Sequence, residues 1–327
     1  MPAPRSPRFI QLHHPDSEGL REEAIAGLLS SSARSSPKFF YDRLGSHLFE
    51  AITELPEYYP TRTEAAIFEA HGEEMARIIG KGLTLIDLGA GNCAKAMKLM
   101  PVFQPARYVA VDISVDFLRD SLDHVQRSHP QLDIAGVGLD FSSSLDLPAL
   151  DPGDGAQDGA GGRPLFFYPG SSLGNFTPPE AFEFLLRVRQ QAEGGGLLVG
   201  IDLLKDRNEL VNAYDDAVGV TGAFNMNLLR CLNRMIGSDF DPRQWRHVAL
   251  FNEDESRIEM HLEARHALDV RWTGGERRFA SGERLHTENA CKWTLEGFAG
   301  LLERAGFRAP TAWTDTSERF AVFWAPA

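Results

Sequence analysis

The sequence predicts an α/β protein built on a doubly wound parallel sheet, and three observations carry that prediction. Leu85-Ile86-Asp87-Leu88-Gly89-Ala90-Gly91-Asn92 passes from an apolar run into Gly-x-Gly and then into a helix opening near Asn92. This is strand, tight turn and helix N-terminus in succession, and the two glycines let the backbone approach a ligand that a Cβ would push away. From Thr84 to Ile201, apolar runs of strand length alternate with segments of helical period, as parallel strands joined by crossover helices require. After a long interruption the chain returns to a helix and then to two strands, near Phe307 to Trp313 and Glu318 to Trp324.

A chain of 327 residues suits two domains, or one large α/β domain with an insertion. Its net charge of −13 argues against nucleic acid or an anionic membrane as the main partner, since both need clustered Lys and Arg, and favours a small-molecule substrate. Cys93, Cys231 and Cys291 are widely spaced and form no C-x-x-C pair, which predicts a reducing compartment and no zinc site. Met1 to Pro15 lacks an apolar signal core and no run approaches a membrane span, so the reading is a cytoplasmic protein with a loose N-terminal arm. His13 and His14, in that arm, read as a solvated pair rather than a metal site.

From Ser17 to Leu29, Leu20, Ala24, Ile25 and Leu28 recur at helical spacing until the Ser/Arg/Pro stretch to Pro37 breaks the pattern. Dense aromatics beside proline follow in Phe39-Phe40-Tyr41 and Leu55-Pro56-Glu57-Tyr58-Tyr59-Pro60. Such clusters make core or domain contacts, and the phenols of Tyr41 and Tyr58 could also hydrogen-bond a substrate from a lid ahead of the sheet. Thr61 or Thr63 is expected to cap a helix carrying Ile67, Phe68, Met75 and Ile78. The second strand ends at Asp112, about 20 residues beyond the turn, where an acid would hold ribose hydroxyls. The helix after it shows Val115, Leu118, Leu122 and Val125 on one face, and a third strand, about Leu132 to Leu139, ends in Asp140-Phe141.

Asp151 to Gly162 is rich in Gly and Asp and reads as a mobile surface loop. A fourth strand, Leu165 to Tyr168, leads into the loop Pro169 to Pro178; a helix with Phe182, Leu185 and Leu186 inward precedes the fifth strand, Leu197 to Ile201. Ligands of such sheets bind beyond the carboxyl ends of the strands, so Pro169 to Asn175 faces the same crevice as Gly89 and Asp112. Asp206 to Met235 then reads as helical. Arg257 to Arg265 alternates as a half-buried antiparallel strand, with Ile258, Met260, Leu262 and Ala264 on one face and Glu259, His261 and Glu263 on the other. Across Leu285 to Trp293 a period of two puts His286, Glu288 and Ala290 on one face and Thr287, Asn289 and Cys291 on the other. Thr294 is expected to cap a helix with Leu295, Phe298, Leu301 and Leu302 inward.

Two cofactors compete for the glycine turn. Gly89-Ala90-Gly91-Asn92-Cys93-Ala94 fits the loose dinucleotide fingerprint of NAD enzymes, and Asp112 fits either case. Asp87 ahead of the first glycine favours S-adenosylmethionine (SAM), as does the returning helix and hairpin, which commonly completes a SAM methyltransferase sheet.

Taken together, Phe40-Tyr41-Asp42, Leu55 to Glu64, Asp87 to Gly91, Gly170 to Asn175, Asp202-Leu203-Leu204-Lys205-Asp206, Ala213 to Asp216, Arg257-Ile258-Glu259-Met260 and Thr287-Glu288 resemble the L-histidine Nα-methyltransferases of the ergothioneine pathway, from about Phe39 onwards. The resemblance implies a Rossmann-like class I SAM-dependent methyltransferase sheet with a second, smaller α/β substrate-binding unit. Residues 1–60 would form the arm and part of the substrate unit, 61–202 the SAM-binding domain, 203–286 a substrate-binding insertion, and 287–327 the end of the SAM-binding domain. It implies that Gly89, Gly91, Lys95, Asp112, Asp140 and Phe141 contact SAM, with Asp140 on the adenine amino group. Tyr58, Asn175 and Tyr214 would hold the substrate carboxylate, and the amine would point towards the catalytic candidates Tyr41, Gly170 and Asn175. Met260, Glu288 and Ala290 would line the side-chain pocket. The expected partner is a free amino acid, and the expected state a monomer.

The chemistry suits those residue types. Methyl transfer from a sulfonium is an in-line displacement, so alignment of a neutral amine is the main requirement. An α-amino group with a pKa of ~8 is about a tenth neutral at pH 7, so no strong buried base is obligatory. One departure stands out: Ala290 occupies a position where the family commonly has Ser, and a hydroxyl expected on the imidazole is missing. Methylation of another, aromatic amino acid is therefore the alternative, and a non-catalytic SAM-binding protein the third reading.

Overall fold

A computed structural model describes residues 5–12, 17–142, 144–147 and 162–327. In chain order, β1 (Arg8–Gln11) and α1 (Ser17–Leu29) precede a 3-10 turn at Pro37–Phe40, α2 (Arg43–Thr53) and α3 (Tyr59–Ile79). The alternating part comprises β2 (Thr84–Leu88), α4 (Ala94–Phe103), β3 (Arg107–Asp112), α5 (Val115–Ser128), β4 (Asp133–Gly138), β5 (Pro164–Tyr168), α6 (Pro178–Gln191) and β6 (Gly196–Asp202). The interruption contains α7 (Arg207–Asn212), α8 (Val220–Ile236), β7 (Trp245–Asn252), β8 (Arg257–Ala264), β9 (Leu268–Trp272), β10 (Gly275–Phe279) and β11 (Arg284–Cys291). The chain then forms α9 (Leu295–Arg304), β12 (Thr311–Thr314) and β13 (Phe320–Pro326).

The main sheet has eight strands in the order β1-β4-β3-β2-β5-β6-β13-β12, parallel except where β13 runs antiparallel to β6 and β12. Its inner strands, β2 to β6 and β13, are buried on both faces, which is why they read as continuous apolar runs. Ile86, Val109 and Val111 pack towards Phe184, Leu185, Phe298 and Leu301 of α6 and α9. Leu85, Tyr108 and Ala110 pack towards Met75, Leu99 and Leu118 of α3, α4 and α5. A second sheet, β11-β8-β7, is antiparallel, and it packs with α8, α1 and the Phe39-Phe40 turn around Leu28, Phe224, Leu228, Leu232, Met260 and Leu262.

Several expectations are corrected. Part of the N-terminal arm is not loose: Arg8–Gln11 adds a parallel edge strand to β4, and Arg8 pairs with Asp133 at 2.9 Å. Four mixed residues carry too little pattern to announce a strand. Neither Thr61 nor Thr63 caps α3, because the helix starts at Tyr59 with Pro60 in its first turn, where a missing N–H costs nothing; Ile78 is exposed. In α6 the inward residues are Ala181, Phe184, Leu185 and Val188, with Phe182 and Leu186 only half-buried. The segment Asp206 to Met235 is not one helix, since the Asp216 carboxylate accepts from the amides of Gly219, Val220 and Thr221 at 2.7–2.9 Å and starts α8 afresh. Strand β8 is covered on both faces, since His261 and Glu263 are buried as well as Ile258, Met260, Leu262 and Ala264.

A β-bulge alters the face assignment in β11. His286 pairs with His261 and Glu288 with Met260, so Thr287 is an extra residue that opposes none. His286 therefore lies on the face of Asn289, to which its ring nitrogen bonds at 2.9 Å, while Glu288 and Ala290 share the face of Met260 and Ile258. The divisions expected at 60/61 and 286/287 fall within α3 and β11. Residues His13, His14 and 151–161 lie outside the described residues.

Candidate active site

The site is assembled at the carboxyl ends of β2, β3, β4, β5 and β6. Gly89 and Gly91 both adopt left-handed backbone, with φ of 70° and 52°, so the turn after β2 needs residues without a Cβ. A Cβ on Gly89 would touch the Phe141 ring at 3.6 Å, narrowing the gap between the turn and the loop after β4. Asp112 closes the turn: its two carboxylate oxygens accept from Gly91 N at 2.9 Å and Ser114 N at 2.8 Å. One oxygen lone pair on each side remains for hydroxyl donors. Asp87, buried beneath, accepts from the Tyr108 hydroxyl at 2.8 Å, and burial pushes its carboxyl up to about 7.

Asp140 accepts from Lys38 Nζ at 3.2 Å and from Ser142 N at 3.1 Å. Burial raises the carboxyl's pKa, but Ser142 and the Lys38 ammonium outweigh it and hold the group below its ordinary range. Phe141 meets Tyr168 edge-on at 5.7 Å. Lys95 is held by buried Glu64, at 2.7 Å from Oε2, and the other oxygen of Glu64 accepts from Gly170 N at 2.7 Å. One carboxylate thus ties a cofactor candidate to the loop after β5.

That loop is bent by two consecutive left-handed residues, Gly170 at φ 80° and Ser171 at 59°, and it passes close enough to β11 that a Cβ on Gly174 would lie 3.0 Å from Cys291 O. This approach brings the Asn175 side chain to Glu288, near enough to favour its ionised form. Burial pushes Glu288 up to about 7 against the opposing pull of Lys292 and Asn175. Tyr41, Tyr58 and Tyr214 surround it. Tyr58 and Tyr214 meet edge-on at 6.2 Å, Tyr41 packs on Phe49 and Phe224, and desolvation, reinforced by the charge of Glu288, holds all three phenols neutral far above the ordinary range. They are donors and acceptors, not bases.

The structure therefore brings together Gly89, Gly91, Asp112, Asp140 and Phe141 around the turn, Lys95 beside Gly170, and Asn175 with Glu288 among the three tyrosines. Met260 is the paired neighbour of Glu288 and is buried. Ala290 packs one pair further along, among Leu210, Ile258, Val211, Tyr214 and Phe251.

Sequence reasoning gave no role to several residues that build the site. Glu64, the end of the Leu55 to Glu64 motif, and Lys38 are two of them. Asp202, with no exposure at the end of β6, accepts from the Tyr59 hydroxyl at 2.9 Å, Lys205 Nζ at 2.5 Å and Lys292 Nζ at 2.7 Å. Lys292 falls in phase with Glu288 and Ala290, the one signal that could have found it.

An eight-stranded sheet in this order, with an antiparallel strand next to its last, Gly-x-Gly after a central strand and an acid ending the neighbouring one, defines a class I SAM-dependent methyltransferase. Two relatives are the histidine N-alpha-methyltransferases of Mycolicibacterium smegmatis, 39% identical over 93% of this chain and 94% of that protein, and of Mycobacterium tuberculosis, 37% identical over 93% of each. A third, the N-methyltransferase imqF of Aspergillus flavus, is 27% identical over 90% of this chain and 82% of that protein. The model of the histidine-specific, SAM-dependent methyltransferase family matches residues 20–327, and the chain belongs to that family.

Proposed function

We propose that this enzyme methylates the α-amino nitrogen of free L-histidine with SAM, to the trimethylated betaine hercynine, as a monomer in a reducing, cytoplasmic compartment. The observation that carries the proposal is the buried Glu288, with Asn175 beside it and three neutral phenols around it. It offers an acceptor for an imidazole N–H at one end and phenol and amide donors for a carboxylate at the other. The names of two relatives support the same substrate.

SAM, when bound, supplies the electrophilic methyl group. Asp112, with lone pairs left over, fits the ribose hydroxyls; Asp140 and Phe141 fit the adenine; and Lys95, poised beside Gly170, fits a carboxylate at the cofactor's other end. Tyr58, Asn175 and Tyr214 would grip the substrate carboxylate, while Tyr41, the Gly170 carbonyl and Asn175 orient the amine lone pair. No base is needed, since the ammonium gives its proton to solvent and the minor neutral amine is what attacks the methyl group; each methylated ammonium loses a proton in the same way before the next transfer. Residues 61–202 and 287–327 would serve the cofactor, and 1–60 with 203–286 the substrate, with Glu288 reaching across on β11.

The apolar surroundings of Ala290 favour a second reading, an aromatic amino acid as substrate. Transfer of deuterated methyl groups to a panel of free amino acids, read by mass, tests both and counts the methyls. Ala290→Ser should raise kcat/KM for histidine up to about tenfold by giving the second imidazole nitrogen a partner, since a buried unsatisfied group costs about 1 to 3 kcal/mol. If the substitution lowers histidine turnover, or the wild type prefers tryptophan or phenylalanine, the second reading holds.

A further inference from the structure

We infer that Lys292 is a positioning residue for the substrate's carboxylate: it turns the Tyr214 hydroxyl into an obligatory donor and supplies the positive charge that an anion in this pocket needs. The inference rests on the reading that Tyr214 belongs to the carboxylate clamp.

Lys292 Nζ lies 2.7 Å from Asp202 Oδ2 and 3.2 Å from the Tyr214 hydroxyl oxygen. An ammonium has hydrogens and no lone pair, so Tyr214 must accept here. Its own hydrogen then points elsewhere, and no other bond to this hydroxyl is present among the described residues. Lys292 Nζ also stands 4.8 Å from the centre of the Tyr214 ring, which fixes the ring as well as its tip.

The charge balance points the same way. Asp202 is wholly buried and carries one negative charge, yet both Lys205 and Lys292 are bonded to it, with side chains only 8% and 1% exposed. Asp202 with the two ammoniums leaves a formal excess of one positive charge in a site shielded from water as long as Glu288, which Lys292 also faces, keeps its proton. Tyr59 adds a neutral hydroxyl to Asp202 and no charge. Such an excess is costly unless an anion completes it. Lys292 directly follows β11 and its Nζ reaches the hydroxyl and the ring of Tyr214, so the excess lies against Tyr214, where the clamp would seat a carboxylate.

The test compares L-histidine with L-histidinamide, which keeps the amine and imidazole and replaces the carboxylate by a neutral amide. Lys292→Met leaves Asp202 paired with Lys205 and Tyr59, so the buried site becomes neutral rather than unpaired. KM for histidine should rise about 10- to 100-fold, the range of a lost charge-assisted contact, with kcat within about threefold and SAM affinity by calorimetry unchanged. KM for histidinamide should move less than about twofold. Tyr214→Phe, which keeps Lys292 and its ion pair, should lose the same preference for histidine, and the double variant should lose little more; this carries the test if Lys292→Met does not fold. Equal rises in KM for both substrates would assign Lys292 to Glu288 or to general packing and overturn the inference, as would an unchanged KM for histidine. If wild-type enzyme methylates histidinamide as well as histidine, the clamp itself is wrong, and that appears before any variant is made.

Discussion

Glu288 shows what a single buried carboxyl costs and contributes. Its ordinary value near 4.5 is pushed up to about 7 by desolvation, so the folded protein holds the proton over a range where the unfolded chain has released it. Below pH 4.5 the group is protonated in both states and carries no penalty. As pH rises through about 7 the folded state must accept a buried charge, and stability falls by up to roughly 3 kcal/mol, the equivalent of that displacement. Glu288→Gln cannot ionise. Its ligand-free midpoint of thermal unfolding should therefore exceed that of the wild type by a few degrees at pH 8, with the gap closing towards pH 4.5, while KM for histidine worsens. A gap that is constant with pH would show that Glu288 is not the titrating group. At this scale the sequence was a good guide to side chains that sit on a strong local pattern, such as Asp112 at a strand end. It gave no role to Asp202 and Lys205, although both lie in a motif of the resemblance, and none to Lys292, because their partners come from three separate stretches.

Among the elements, the β-bulge of β11 decides which side chains face the pocket. Thr287 is fully buried, and its hydroxyl donates to Met260 O at 2.9 Å, which anchors the extra residue against β8. Deleting Thr287 would leave Leu285 and Glu288 in plain alternation on one face, whereas inserting one residue between Met260 and His261 would give Thr287 a partner, remove the bulge and force either Leu285 off the core or Glu288 off the pocket face, because a one-residue slip moves every side chain beyond it to the opposite side. Loss of histidine methylation by at least about a hundredfold is expected of the insertion, with SAM still bound within about threefold; SAM binding that fails in parallel would mean that β11 supports the whole fold instead. The bulge was not legible, because counting by twos has no way to register a residue that pairs with nothing. The strands from Thr84 to Ile201 were legible since burial on both faces makes them continuously apolar. Strands β9 and β10 were not, being charged along one side, nor was β7, which is only half-buried or exposed beyond Trp245, and α8 was merged with α7 because the Asp216 cap looks like any loop acid.

In the molecule as a whole, the two sheets have to be held at a fixed separation for the proposed reaction, because the Gly89 turn lies on one and Glu288 on the other. The pocket tyrosines come from both sides of the cofactor sheet in sequence: Tyr41 and Tyr58 precede it and Tyr214 follows. Lys38 is a tie between the units. From the turn at Pro37–Phe40 its ammonium reaches Glu23 of α1 at 2.7 Å and Asp140 beyond β4 at 3.2 Å, and Tyr41 is three residues away. The tie is mostly shielded, with Lys38 at 18% and Asp140 at 11% side-chain exposure, so it is weakened by salt less than a surface pair. Lys38→Met keeps the apolar stem and removes only the charge. Asp140 would retain Ser142 but lose the bond that fixes its second oxygen. Affinity for SAM should fall about three- to tenfold by calorimetry, as for one partly shielded charge-assisted bond, and KM for histidine should rise with it because the same turn positions Tyr41. A rise in KM for histidine with SAM affinity unchanged would confine Lys38 to the substrate unit, and no change in either would show that packing of Phe39 and Phe40 alone holds the two sheets in register.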